Sequence, residues 1–215
     1  MIVLKYEKKD GARFISHIDM LRHASRILRR AQIPVKFSQG FNPHALVFFS
    51  PPTAVGVTSF SEYIAIDTDM SKQEVFERYN NSVMPSLKAV ECFDCGKNPN
   101  LQAVISAADY VFDTEYFDID TAGGFQIEYE KKGQTVLENA SDKIFGVYDA
   151  NGRLSMRLAS GNVNLRPDRV IAALNKTRGL NLNVQDVVKI EQFVKVGDGF
   201  VSADEYLLKA EKRSD

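Results

Sequence analysis

The chain has 215 residues, 44% hydrophobic and 26% charged, with 13 Gly and 7 Pro, a globular composition that excludes a disordered, collagen-like or coiled-coil chain. Its 27 Lys/Arg against 28 Asp/Glu exclude a wholly basic nucleic-acid binder, and its two cysteines exclude a disulfide scaffold. No stretch approaches the roughly 18 apolar residues of a membrane span and the amino terminus lacks a signal peptide's apolar run, so a cytoplasmic protein without a membrane partner is expected.

Met1 to Lys9 alternates as a strand, with Ile2, Leu4 and Tyr6 on one side. Asp10-Gly11 is a turn. Ser16-His17-Ile18-Asp19 has the S-x-x-D form of a helix start, and Pro34 sets the end of that helix near Ala31. Ile18, Leu21, Ser25 and Leu28 follow helical spacing, with Ala24 and Ile27 widening the expected buried face. A short strand from Val35 to Ser38 leads into the breaker-rich Gly40-Phe41-Asn42-Pro43-His44. Ala45 to Ser50 and Glu62 to Asp67 read as strands, Ser71 to Val83 as a helix opened by a Ser71/Glu74 capping box, and Leu87 to Phe93 as a strand.

The order strand, helix, strand, strand, helix, strand is that of a ferredoxin-like split β-α-β unit. Gly96 to Asn100 reads as a linker. Beyond it, Tyr110 to Tyr116, Phe125 to Lys131, Thr135 to Leu137, Ile144 to Tyr148 and Arg153 to Ala159 look extended. Asn151-Gly152 marks a hairpin. Pro167 opens a helix, and Val187 to Val196 closes with a strand. Asp118 to Gly124 is too short and glycine-bearing for a helix. The expected fold class is therefore α+β: two tandem ferredoxin-like halves with antiparallel sheets, residues 1–96 and 101–215, the second degenerate.

Gly11 to Ser61 carries the densest motifs: Gly11-Ala-Arg-Phe-Ile-Ser-His-Ile-Asp, Arg29-Arg-Ala-Gln-Ile-Pro, Ser38-Gln-Gly-Phe-Asn-Pro-His, then Pro52, Gly56, Ser59 and Glu62. These blocks, in this order, resemble the radical SAM-linked protein family, a bacterial domain of unknown function that occurs alone or fused to a radical SAM enzyme. Gly161-Asn-Val-Asn-Leu-Arg-Pro-Asp-Arg-Val is similar to that family's carboxy-terminal block. The resemblance implies an accessory role beside a radical SAM partner and supplies no reaction.

Cys92-Phe-Asp-Cys95 offers two thiols where a radical SAM cluster needs three and a zinc site four ligands. The pair sits at a strand end, not at a helix start that would lower a thiol pKa. Neither a metal nor a cofactor is expected.

Charge points elsewhere. Residues 1–50 hold nine Lys/Arg against three Asp/Glu, while residues 101–150 hold three against ten. Arg22, Arg26, Arg29 and Arg30 fall on one helical face, with Arg13 nearby in sequence. Guanidinium forks on one face suit a phosphate backbone, RNA being the partner in view; the alternative is a solvated face neutralised by the acidic middle segment. In the loop, Gly40 permits a positive backbone angle, Asn42 and His44 can reach a ligand, and Phe41 can stack on a base if exposed. The alternative there is a rigid turn with Phe41 in the core. His17 and His44 are candidate acid and base on a phosphate-bearing substrate, although Ser16 and Asp19 are explained by helix capping.

Three functions stay open: an RNA- or phosphate-binding module presenting substrate to the partner, an enzyme using His17 and His44, and a protein adaptor without nucleic acid. Tandem ferredoxin-like halves also resemble the CRISPR repeat-processing endoribonucleases in architecture, but Gly197-Asp-Gly199 falls short of their glycine-rich loop.

Overall fold

β1 (Ile2–Lys8) begins the fold in a computed structural model that describes residues 1–212; the last three residues of the expected second half lie outside it. Strand alternation sends Ile2, Leu4 and Tyr6 into one core and Val3 to the opposite face. Ser16 caps α1 (His17–Arg30), its hydroxyl oxygen accepting the Asp19 N–H at 3.2 Å.

The buried face of α1 keeps Ala24, Ile27 and Leu28 of the expected one, gains Met20, and leaves out Ile18, Leu21 and Ser25. Met20, Ala24, Ile27 and Leu28 are buried and continue into Ala31 and Ile33, whereas Ile18 and Leu21 are exposed. Two apolar stripes overlap on this helix. The one that is buried, Met20, Ala24, Ile27 and Leu28, shares a core with Ile2, Leu4, Ile64 and Ile66 of the sheet.

The next strand is β2 (Val47–Phe49), which pairs with the end of β3 (Thr58–Ile66). The strand expected over Val35–Ser38 shrinks to a single Phe37–Ala45 bridge, because the segment's hydrogen bonds go to Leu46 and Asp67 rather than to a ladder. α2 (Lys72–Ser82) starts with the Ser71/Glu74 capping box, and β4 (Ala89–Asp94) follows. These strands lie in the order β4-β1-β3-β2, each antiparallel to its neighbour. α1 and α2 cover the face carrying Ile2, Leu4, Ile64 and Ile66.

After the single turn α3 (Leu101–Val104) come β5 (Ile105–Glu115), the hairpin β6 (Gln126–Lys131) and β7 (Gln134–Asn139), β8 (Ile144–Ala150), β9 (Arg153–Ala159), α4 (Pro167–Arg178) and β10 (Val187–Val196). Their order is β10-β5-β9-β8, again antiparallel throughout. The β6–β7 hairpin forms a small sheet of its own. It packs Phe125 and Ile127 into the core shared with Val170, Ile171 and Leu174 of α4. The Asn151-Gly152 turn has both residues at positive φ, as this hairpin turn requires.

The α+β class holds, as one large, mostly antiparallel sheet and a small second one. The expectation of separate sheets is corrected: β3 is long enough to pair with β2 through Ile64–Ile66 and, parallel, with β10 through Thr58 and Ser59. That two-rung seam makes nine strands continuous. Two terminal elements were not anticipated, β11 (Gly199–Ser202) and α5 (Ala203–Glu211). α5 folds back against β4 and β10 and closes a third core from Val3, Tyr63, Phe93, Val194 and Leu207, on the face opposite α1.

Buried ions flank the seam. On the α1 side Lys189 pairs with Glu62, which also accepts from Ser59 Oγ at 2.6 Å. On the α5 side Lys5 pairs with Glu191 (3.1 Å) and with Asp204, and the Tyr63 hydroxyl donates to Asp204 at 2.8 Å. Burial alone would lower the Lys5 pKa; the bond to Asp204 and the charges of Glu191 and Asp204 outweigh it and hold the ammonium above its ordinary value. Among the described residues no helix is long and apolar enough to cross a membrane.

Candidate functional site

Helical geometry places Arg22, Arg26, Arg29 and Arg30 within an arc of about 100° and along about 12 Å of α1. All four are exposed. Arg22 touches Asp19 at 3.4 Å, an exposed pair of little energetic weight. Arg26, Arg29 and Arg30 have no ion pair among the described residues. Arg29 and Arg30 lie in the last turn, where the helix dipole favours cations. His23 sits beside them, half-buried. Its pKa is pushed down first by burial and then by Arg30 and Arg26, and its Nε2 is buried without a hydrogen-bond partner. Ile15, Asp19, Arg22, His23 and Arg26 line a shallow groove of about 290 Å³.

The loop after residue 38 is closed at its base. Ser38 N–H donates to the His44 carbonyl at 2.9 Å, His44 N–H to Ser38 Oγ at 3.1 Å, and Ser38 Oγ meets His44 Nδ1 at 2.8 Å. Gly40 has φ +133°, which glycine alone adopts without strain. Phe41 stands fully in solvent, and Asn42 and His44 are exposed. No hydrogen bond or ion pair among the described residues links this loop to α1.

His17 occupies a different place. Its ring meets Phe49 edge-on at 5.8 Å and lines a groove of about 540 Å³ with Leu21, Pro52, Asn100 and Gln102. Burial lowers its pKa, against the opposing field of Glu62. His17 and His44 therefore share neither a groove nor a contact. Arg13 also leaves the basic face: it donates to Gln185 Oε1 at 3.1 Å, and its guanidinium lies 5.0 Å from the Phe14 ring centre.

The environment of the two thiols disfavours the thiolate. Burial, with Lys72 opposing, pushes Cys92 up to about 12; burial, aided by Glu211 and Asp94, pushes Cys95 up to about 11. Among the described residues no three His, Cys, Asp or Glu side chains converge as a metal site would require.

Sequence reasoning missed the seam residues Lys5, Lys189, Glu191 and Asp204 as a set. One local signal existed: Lys189 stands two residues after the inward Val187, on the same face of the strand, where a buried charge must find a partner.

The family comparison matches residues 1–145 to "Uncharacterized protein conserved in bacteria (DUF2344)". That is about two thirds of the chain, and the chain belongs to this family. No curated protein matches it.

Proposed function

We propose that this member of a bacterial family is a non-catalytic module that holds RNA, or a phosphate-bearing substrate, for a radical SAM partner in the cytoplasm. The observation that carries the reading is the α1 face, where Arg26, Arg29 and Arg30 lack ion-pair partners among the described residues and Arg22 has only an exposed one. A solvated structural stripe has no reason to concentrate guanidinium forks over lysines; phosphate recognition does. The half-buried, neutral-leaning His23 adds a hydrogen-bonding edge at the same groove.

We read the two stretches as ferredoxin-like halves. The support is the repeated strand order, β4-β1-β3-β2 and β10-β5-β9-β8, with the β6–β7 hairpin standing where the first half has α1. The radical partner is inferred from the motif resemblance together with the thiol count: Cys92 and Cys95 fall short of the three thiolates that chemistry needs.

Four arginines neutralising four phosphates of a single strand give a slope of about −2.8 in log affinity against log salt, at about −0.7 per contact. Between 50 and 200 mM salt, affinity then falls about 50-fold. Filter binding of bulk cellular RNA tests this, wild type against a variant with Arg22, Arg26, Arg29 and Arg30 all changed to Glu. Salt-sensitive retention by the wild type and its loss in the variant are expected; equal retention by both removes the assignment.

A protein adaptor is the second reading, favoured by Ile18 and Leu21, 62% and 40% exposed beside the arginines. A mixed apolar and basic face suits an acidic protein surface. Co-purification with the radical enzyme that survives high salt and nuclease treatment would select it over the first.

A further inference from the structure

The groove beside His17 is built by three stretches far apart in sequence. Leu21 of α1 borders it, as do Asn100 and Gln102 at the start of α3, and Val47, Phe48 and Phe49 of β2 all reach it. Successive strand residues point to opposite faces, so a groove bordered by all three follows the edge of β2 and not one of its faces.

That edge is open. β2 pairs with β3 alone. Asp67 N–H donates to the Leu46 carbonyl at 3.0 Å, and Ser50 N–H donates to the Tyr63 carbonyl at 3.1 Å. Bonded pairs alternate in an antiparallel ladder, so Phe48 bonds to Ala65 between them, and Val47 and Phe49 turn their backbone groups outward. The Val47 N–H is used locally, donating to the Ala45 carbonyl at 2.9 Å. The Val47 carbonyl and both backbone groups of Phe49 have no partner outside the ladder among the described residues.

The α3 side of the groove offers the same chemistry in side chains. Leu101 is buried in the third core, which pins α3 and leaves its neighbours Asn100 and Gln102 exposed. No hydrogen bond among the described residues engages the side chain of Asn100, Gln102 or His17. An amide side chain carries a donor and an acceptor, the pair that a peptide unit also presents. Of the lining side chains only His17 can ionise, and burial, opposed by Glu62 and aided by Lys8, favours its neutral form. A phosphate chain finds no cation there. Outside the groove α1 turns basic: Arg29 and Arg22 stand about 80° and 100° further round the helix than Leu21.

We propose that this groove takes an extended segment of a partner protein, which adds as a short strand to the open edge of β2, seats an apolar side chain against Leu21 and carries an acidic residue to Arg22 and Arg29. In strand addition, main-chain hydrogen bonds give affinity and side-chain contacts give selectivity. The proposal goes beyond RNA binding and does not depend on it: Leu21 lies about 160° round α1 from His23, so the two grooves on this helix are separate.

The probe is a phage-displayed library of short random peptides panned on the full chain, and the enriched peptide is then synthesised with a fluorescent label. Enriched sequences should pair an apolar residue with a nearby Asp or Glu. Leu21→Asp should weaken the labelled peptide at least about five-fold, and Gln102→Ala about three-fold or more; urea melts confirm that both variants are folded. Methylating the peptide nitrogens one at a time should cost at least about five-fold at alternate positions, where the N–H meets the Val47 or Phe49 carbonyl, and little between them. No enrichment, a basic consensus, a peptide indifferent to both substitutions, or methylation tolerated at every position would overturn strand addition here. So would an oligouridine that displaces the peptide and is itself weakened by Gln102→Ala, which would assign the groove to nucleic acid. Equal RNA retention by the wild type and the four-arginine variant would remove the α1 reading and leave this one standing.

Discussion

Glu62→Gln probes the seam on which the single sheet depends. Only two rungs join β3 to β10, Thr58–Val188 and Ser59–Lys189, and the second carries the Lys189–Glu62 pair with side chains 2% and 5% exposed. The substitution keeps the shape and the Ser59 hydrogen bond but leaves a buried ammonium without its counter-charge, beside Lys8, whose own ammonium is destabilised first by burial and also by Lys189. Removing one partner of such a pair costs about 3–5 kcal/mol. With a urea m-value of about 2 kcal/mol/M, the unfolding midpoint should fall by about 1.5–2.5 M. The double variant Glu62→Leu/Lys189→Met removes the desolvation cost of both ions and should recover most of that loss. Urea melts followed by far-UV circular dichroism read all three proteins. A midpoint shift below about 0.5 M for Glu62→Gln would show that the pair is not desolvated in solution, and the argument fails.

Two further outcomes follow from local geometry. Gly161 has φ +75°, and a Cβ there would stand 2.8 Å from the Ile105 carbonyl oxygen, whereas Gly197 has φ +59° with open space around it. Gly197→Ala should cost about 1–2 kcal/mol, the left-handed penalty alone, and Gly161→Ala measurably more in the same urea assay; equal losses would refute the clash. Cys92 and Cys95, at about 12 and 11, hold their protons longer in the fold than in the open chain. Their contribution to stability is therefore complete below the unfolded thiol pKa of about 8.5 and declines as pH rises above it. Iodoacetamide should label the native thiols slowly at about pH 8 and faster with each unit up to about pH 10, and native labelling as fast as in urea would contradict the burial.

The parts legible in sequence were those with a local cause. Ser16 and Ser71 announce helix starts because a cap and its target lie three residues apart, and the arginine face of α1 needs only helical period to be seen. What failed was long-range. Nothing near Arg13 indicates Gln185, 172 residues away. The choice between two apolar stripes on α1 was made by the sheet, not by the helix. α5 did carry a signal, since Ser202 and Glu205 have the capping spacing and Ser202 accepts the Glu205 N–H at 3.1 Å, but its brief preceding strand masked it.

The seam also explains why buried ions sit where leucines would serve stability as well. A two-rung parallel contact has little to fix its register by hydrogen bonding alone. An irregularity in β10 between Lys189 and Glu191 sets these two residues on opposite faces. Slipping β10 by one residue would turn Lys189 to the α5 face and Glu191 to the α1 face, because successive strand residues alternate. Lys189 would then lose Glu62, and Glu191 would lose Lys5 and Ser61, leaving Lys189, Glu62 and Glu191 without the partners that offset their desolvation. The ions on both faces thus reject the same error from opposite sides.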